Sequence, residues 1–101
     1  MASASSNPPA DFGEVVWRGD CCIDSAAERH EELLRALETG LPVRIDAREV
    51  SRLDTVGLQL LVSFSLELTR RGRTLSWLGA SEPVAQAAAL AGLTRMLGLP
   101  H

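Results

Sequence analysis

The junction Asp54-Thr55-Val56-Gly57-Leu58 constrains this chain most, because a short apolar strand pattern lies before it and a long, almost wholly apolar helix pattern follows. Leu41-Pro42-Val43-Arg44-Ile45-Asp46 is bounded by Gly40 and by the polar run Ala47-Arg48-Glu49, which reads as a buried strand. From Leu58 to Arg71, Leu58, Leu61, Phe64, Ser65 and Leu68 recur at helical spacing, and Gly72 supplies the stop. Glu49 to Asp54 reads as the connecting loop. Asp54 or Thr55 is then the N-cap, since a short side-chain oxygen can accept a bond from an unpaired first-turn N–H. Laid out at about 100° per residue, the helix puts Gln59, Ser63, Glu67, Arg70 and Arg71 on one side and spreads apolar residues over about two thirds of its circumference. Packing on one sheet needs a narrower stripe, which leaves Leu60 and Leu66 either for neighbouring helices or for a partner.

The remaining pattern supplies the frame. Glu14 to Arg18 reads as a first strand, Gly19-Asp20 as a turn, and Cys21 to Ile23 as its continuation or a second strand. A helix then starts at Asp24-Ser25, where Ser25 and Glu28 have capping-box spacing. Ala26, Leu33, Leu34 and Leu37 carry its buried face until Gly40, and the solvated side includes His30, Glu31, Arg35 and Glu38. Arg71-Gly72-Arg73 turns into an alternating strand, Thr74 to Leu78, whose Leu75, Trp77 and Leu78 are candidates for the core. Ser81-Glu82-Pro83 opens a helix running to Ala91, and Leu93 to Leu97 adds a short helical turn. The order β(β)αβαβα predicts an α/β fold with a small sheet containing at least two parallel strands. In such sheets the functional edge lies at the carboxyl ends of the strands, where Asp54 and Thr55 would sit.

At 101 residues the chain is expected to form one domain over residues 13–101, preceded by a disordered tail, residues 1–12, rich in Ser, Ala and Pro. A net charge of −3 and only two Trp and two Phe give no support to nucleic-acid binding. The apolar helix is interrupted by Gln59, Ser63, Ser65 and Glu67 and is too short to span a membrane, and the N-terminus lacks a signal peptide's apolar core, so a cytoplasmic protein is expected. Neighbours on a strand point to opposite faces, so the adjacent Cys21 and Cys22 read as reduced thiols; the chain has no cysteine and histidine set for a metal site. Nucleophilic catalysis lacks a base, because the two histidines are His30 on a solvated face and His101 at the terminus. No glycine-rich phosphate loop occurs. A non-catalytic protein without cofactor is expected, and a small enzyme using Asp46 and Asp54 stands as the alternative. Phosphate on Thr55 would add about −1.5 to −2 charges beside Asp54, at a helix N-terminus that tolerates an anion, and would repel a partner packed over it.

Val43-Arg44-Ile45-Asp46, Val50-x-x-x-Asp54-Thr55-x-Gly57-Leu58-x-x-Leu61, Arg71-Gly72, Ser81-Glu82-Pro83-Val84 and Leu90-Ala91-Gly92-Leu93 together resemble the STAS domain of anti-sigma factor antagonists, over about Val15 to Leu99. The resemblance implies a mixed sheet of about four strands with helices packed against it, and a bacterial cytoplasmic protein that acts by docking. It implies that Thr55 is phosphorylated by a GHKL-type serine/threonine kinase that doubles as anti-sigma factor, and that unphosphorylated antagonist captures this kinase and frees the sigma factor. On this transfer the partner-facing residues are Asp54, Thr55, Val56, Gly57, Gln59, Leu60 and Ser63.

Cys22 stands where many antagonists have Asp, Thr55-Val56 replaces the commoner Ser-Ser, and the last strand and helix of longer members have no counterpart. Asp54-Thr55-x-Gly57-Leu58-Gln59-Leu60-Leu61 is similar to short STAS proteins of chemotaxis-type operons, where the partner would be a chemotaxis kinase. It is also similar to the STAS subunit of a phospholipid ABC transporter, which would bind its ATPase constitutively.

Overall fold

The structure, a computed structural model, describes residues 12–99. The segment expected to be a tail lies, apart from Phe12, outside the described residues, as does His101. Strand β1 (Gly13–Cys21) leads through a 3-10 turn (Ile23–Ser25) into helix α1 (Ala26–Glu38). Strand β2 (Val43–Leu53), helix α2 (Thr55–Arg70), strand β3 (Leu75–Ala80), helix α3 (Glu82–Leu90) and a single turn, α4 (Thr94–Leu97), complete the order. The strands form one sheet in the order β1-β2-β3, and both pairings are parallel. The α/β architecture is as expected. Among the described residues, however, the sheet has three strands and no antiparallel pair, where a mixed sheet of about four was expected.

Two expected breaks are irregularities inside continuous strands. Gly19-Asp20 does not turn the chain back: Gly19 takes φ +64° and the ladder to β2 shifts register on both sides of it. Opposite it, Glu49 to Leu53 is strand rather than loop, with Val50 buried and Leu53 paired to Cys21. The polar residues Arg48, Glu49, Ser51 and Arg52 hide this extension from a hydrophobicity reading, because they remain exposed while β1 supplies the backbone partners.

Alternation along the strands assigns the faces. Val15, Trp17, Val43, Ile45 and Ala47 are buried on one face against the helices, with Leu75 and Trp77 packed beside them. Trp77 completes its polar requirement by donating from Nε1 to the Leu97 carbonyl at 2.8 Å, which fixes α4 to β3. Glu14, Val16, Arg18, Arg44, Asp46, Arg48, Ser76 and Leu78 alternate with these and occupy the opposite face. Leu78 therefore points away from the core, unlike Leu75 and Trp77. Parallel sheets normally bury both faces. Here Arg44 pairs with Glu14 at 3.1 Å and stacks 3.9 Å from the Phe12 ring, while Arg48 pairs with Asp46 at 3.0 Å.

In α1, Leu33, Ala36 and Leu37 are buried, but Leu34 is 42% exposed, a correction to the expected apolar face. The Ser25–Glu28 capping box is not formed at its start: the Ser25 hydroxyl instead accepts from the Cys22 N–H at 3.2 Å, tightening the preceding 3-10 turn. In α2, Leu61, Phe64, Ser65 and Leu68 are buried. Neighbouring helices cover part of its surplus apolar surface, because Leu58, Leu60 and Val62 are partly buried against the core, whereas Leu66 is 57% exposed.

Candidate functional site

The site is built where β2 ends and α2 begins, at the carboxyl edge of the sheet. Asp54 is the N-cap, in extended conformation, and its Oδ1 accepts from the Gly57 N–H at 3.0 Å. Its second oxygen does something the sequence does not disclose: Oδ2 accepts from the Ile23 N–H at 3.0 Å, across 31 residues. One carboxylate thus ties the β1–α1 turn to the first turn of α2. The Gly57 N–H, and then that of Ile23, favour the charged form and hold the Asp54 carboxyl below its ordinary value.

Gly57 is buried beneath this clamp. A Cβ there would collide with the Cys21 carbonyl oxygen and stand 2.7 Å from Leu53 Cδ1, so the two strand ends approach the helix as closely as they do only because no side chain intervenes. Thr55, the first helical residue, is exposed, and Val56 is half-buried beside it. Gln59 and Ser63 are exposed further along α2, while Leu60 is half-buried on the side facing α1.

Two apolar residues that sequence reasoning did not single out flank the loop. Ile23, whose N–H holds Asp54, is 66% exposed, and Leu90 at the end of α3 is 91% exposed. A hollow of about 350 Å³ is lined by Cys22, Asp54, Pro83 and Leu90, and one of about 450 Å³ by Thr55, Leu58, Ala87 and Leu90. The signal for Leu90 is faint, since in an Ala-rich helix one leucine reads equally well as core. Cys21 is buried, and desolvation pushes its thiol up to about 11, while Cys22 is partly exposed in the first hollow; both are free thiols.

The catalytic alternative is not assembled by the fold. Asp46 lies in β2 and Asp54 just beyond its end, eight positions on and about 25 Å away at strand rise, and each is already engaged. Asp46 forks onto Arg48 on the open sheet face at 3.0 and 3.1 Å, and that bond holds its carboxyl below its ordinary range. Among the described residues no group of three His, Cys, Asp or Glu side chains stands together as metal ligands, and no helix is long and apolar enough to cross a membrane.

The Asp54 clamp has a predicted pH signature. Its folded pKa is depressed below the ordinary 3.8, so its stabilisation is complete above the unfolded value and is lost as pH falls through the folded one. Acidification from pH 6 to pH 3 is therefore expected to lower the urea midpoint of the wild type more than that of Asp54→Asn. Parallel losses in the two proteins would contradict a charged clamp.

Seven solved chains match this one. One of them, a sulfate transporter family protein from Wolinella succinogenes, is 24% identical with a TM-score of 0.67, and the match covers 97% of this chain and 82% of that one. At that identity the match establishes a shared fold. No curated protein matches. A family model described as Mlab, STAS domain, matches residues 13–98. The strand order, the capped Asp54-Thr55 junction and this match over nearly all the described residues place the chain in the STAS domain family, a family of regulatory binding domains that are generally non-catalytic.

Proposed function

We propose that this domain is a cytoplasmic regulatory module, antagonist-like or chemotaxis-associated, that captures a protein partner over the Asp54-Thr55 loop and is switched by phosphorylation of Thr55. The observation that carries the reading is an exposed Thr55 at the first position of α2, sharing a hollow with the exposed Leu90 and following Asp54, which holds the N–H of the exposed Ile23. A partner packed over these residues buries apolar surface around one hydroxyl. A phosphate there would put about two negative charges beside the Asp54 carboxylate and force any covering surface to desolvate them. Because Thr55 is exposed and at a helix N-terminus, the isolated domain tolerates the charge. The kinase would be a GHKL-type enzyme that is itself the captured partner, or a chemotaxis kinase.

Thr55→Glu is expected to weaken capture of the native partner at least tenfold while shifting the urea midpoint little. Capture by Thr55→Glu at wild-type strength would overturn the switch. Incubation with the captured kinase and ATP should label wild type and leave Thr55→Val unlabelled.

A second reading is favoured by the Mlab description of the matching family model. In it the same surface, with Thr55 unmodified, holds an ABC-type ATPase constitutively. The two readings separate in one pull-down from the source organism, by whether the retained protein is an ABC-type ATPase or a kinase that labels Thr55.

A further inference from the structure

The second face of α2 carries a separate groove. Between α1 and α2 lies a hollow of about 420 Å³ floored by Leu33, Leu34, Leu37, Leu60 and Phe64. Its lining runs from His30 to Leu37 on one helix and from Leu60 to Arg71 on the other, roughly 10–16 Å at helical rise, which is two to three helical turns. A side-chain stripe at i, i+3 or i+4, and i+7 has that length.

Charge around the groove is unequal. Glu31, Leu34 and Glu38 fall on one stripe of α1, all exposed, and neither glutamate forms an ion pair among the described residues. Along α2 the acidic charge is already answered, because Glu67 is held by Arg70 and, at 2.7 Å, by Arg71, an arrangement that brings its carboxyl down to about 2. Glu31 and Glu38 thus stand outside the α1 side of the groove, which His30 lines, while Arg35 between them in sequence lines a different hollow with Glu14 and Glu32. The α1 rim is the more acidic and the α2 rim neutral to basic. The complement is an amphipathic helix with leucine-like residues on one face and Lys or Arg on the flank that lies along α1.

We propose that the α1–α2 groove is a docking site for an amphipathic helix of a protein partner, basic on its α1-facing flank. This rests on the binding role proposed above but not on phosphorylation, since Leu60 and Ser63 belong to the groove whereas Thr55 does not line it. The partner would engage the Thr55 loop with one surface and the groove with a helix.

The test uses the full chain and a 15-residue synthetic helical peptide with leucines at i, i+4, i+7 and i+11, lysines on one flank and glutamines on the other. In an NMR titration the peptide is expected to shift the resonances of Leu34, Leu37, Leu60 and Phe64, and a peptide with glutamates in place of the lysines is expected not to. Glu31→Lys combined with Glu38→Lys changes exposed positions and leaves the fold intact; it should weaken the lysine peptide about tenfold. Absence of shifts, shifts confined elsewhere, equal binding of both peptides, or concentration-dependent self-association through the groove without peptide would each overturn the proposal. Thr55→Glu should bind the peptide as wild type does. Failure of that variant to lose its native partner would count against the phosphorylation switch alone.

Discussion

Gly57→Ala is expected to destabilise the domain by about 3 kcal/mol, lowering the thermal midpoint by roughly 12–24 °C. Alanine is the better helix former, so propensity alone predicts a small gain at this position. Sterics decide otherwise. The added methyl meets the Cys21 carbonyl, a backbone atom at the end of β1 that cannot move without dragging the Asp54–Ile23 tie with it. It also meets Leu53, whose backbone is paired to Cys21. The clash therefore pushes α2 away from the sheet edge, and partner capture should fall with stability. Gly79 is the control: a Cβ there meets only the Arg48 side-chain stem, which lies on the open sheet face and can swing into solvent. Gly79→Ala should stay within about 0.5 kcal/mol of wild type. Equal stability of Gly57→Ala and wild type would refute the close approach of helix and strand ends.

Arg73→Ala is expected to cost about 2–3 kcal/mol, a large effect for a residue in a surface turn. The guanidinium reaches back to the end of α1 and the following loop. It donates from Nε and Nη2 to the Leu41 carbonyl at 3.0 and 2.7 Å, and from Nη1 to the Leu37 carbonyl at 2.9 Å. The Leu37 carbonyl lies in the last turn of α1, where it otherwise accepts a 3.3 Å bond from the Gly40 N–H, and a cation there also meets the negative end of the helix dipole. The same side chain joins the α2–β3 turn to the α1–β2 turn. Arg73→Lys should recover less than half of the loss, because an ammonium cannot address two carbonyls with a fixed fork. Urea midpoints of the two variants and wild type check the order. If Arg73→Ala unfolded within 0.5 kcal/mol of wild type, the cap would be decorative.

Much of this molecule is legible along the chain because it depends on neighbours in sequence. Helix α2 announces itself through apolar spacing, its start through the pair Asp54-Thr55, and its end through Gly72. That at least two strands run parallel follows because the helices between them supply crossover connections. The same local evidence misreads β1 and β2. Their outer halves are polar, and only the pairing of Arg18 to Cys21 with Glu49 to Leu53 shows that backbone bonds continue past Gly19 and Ala47. Leu34 and Leu90 show the limit in the other direction, since hydrophobicity marks them for a core that a three-stranded sheet does not extend far enough to provide.

The sequence by itself determined that an apolar helix capped by Asp54 or Thr55 follows a short strand, and that the chain resembles STAS domains. Both follow from residue types at short spacing, which act through the chain's own backbone. Tertiary structure alone decided that Asp54 also binds the Ile23 amide, that Gly57 must lack a side chain to lie under Cys21, and that Leu90 shares a hollow with Thr55. Each depends on atoms more than thirty residues apart, and their distance is set by how the helices close over the sheet.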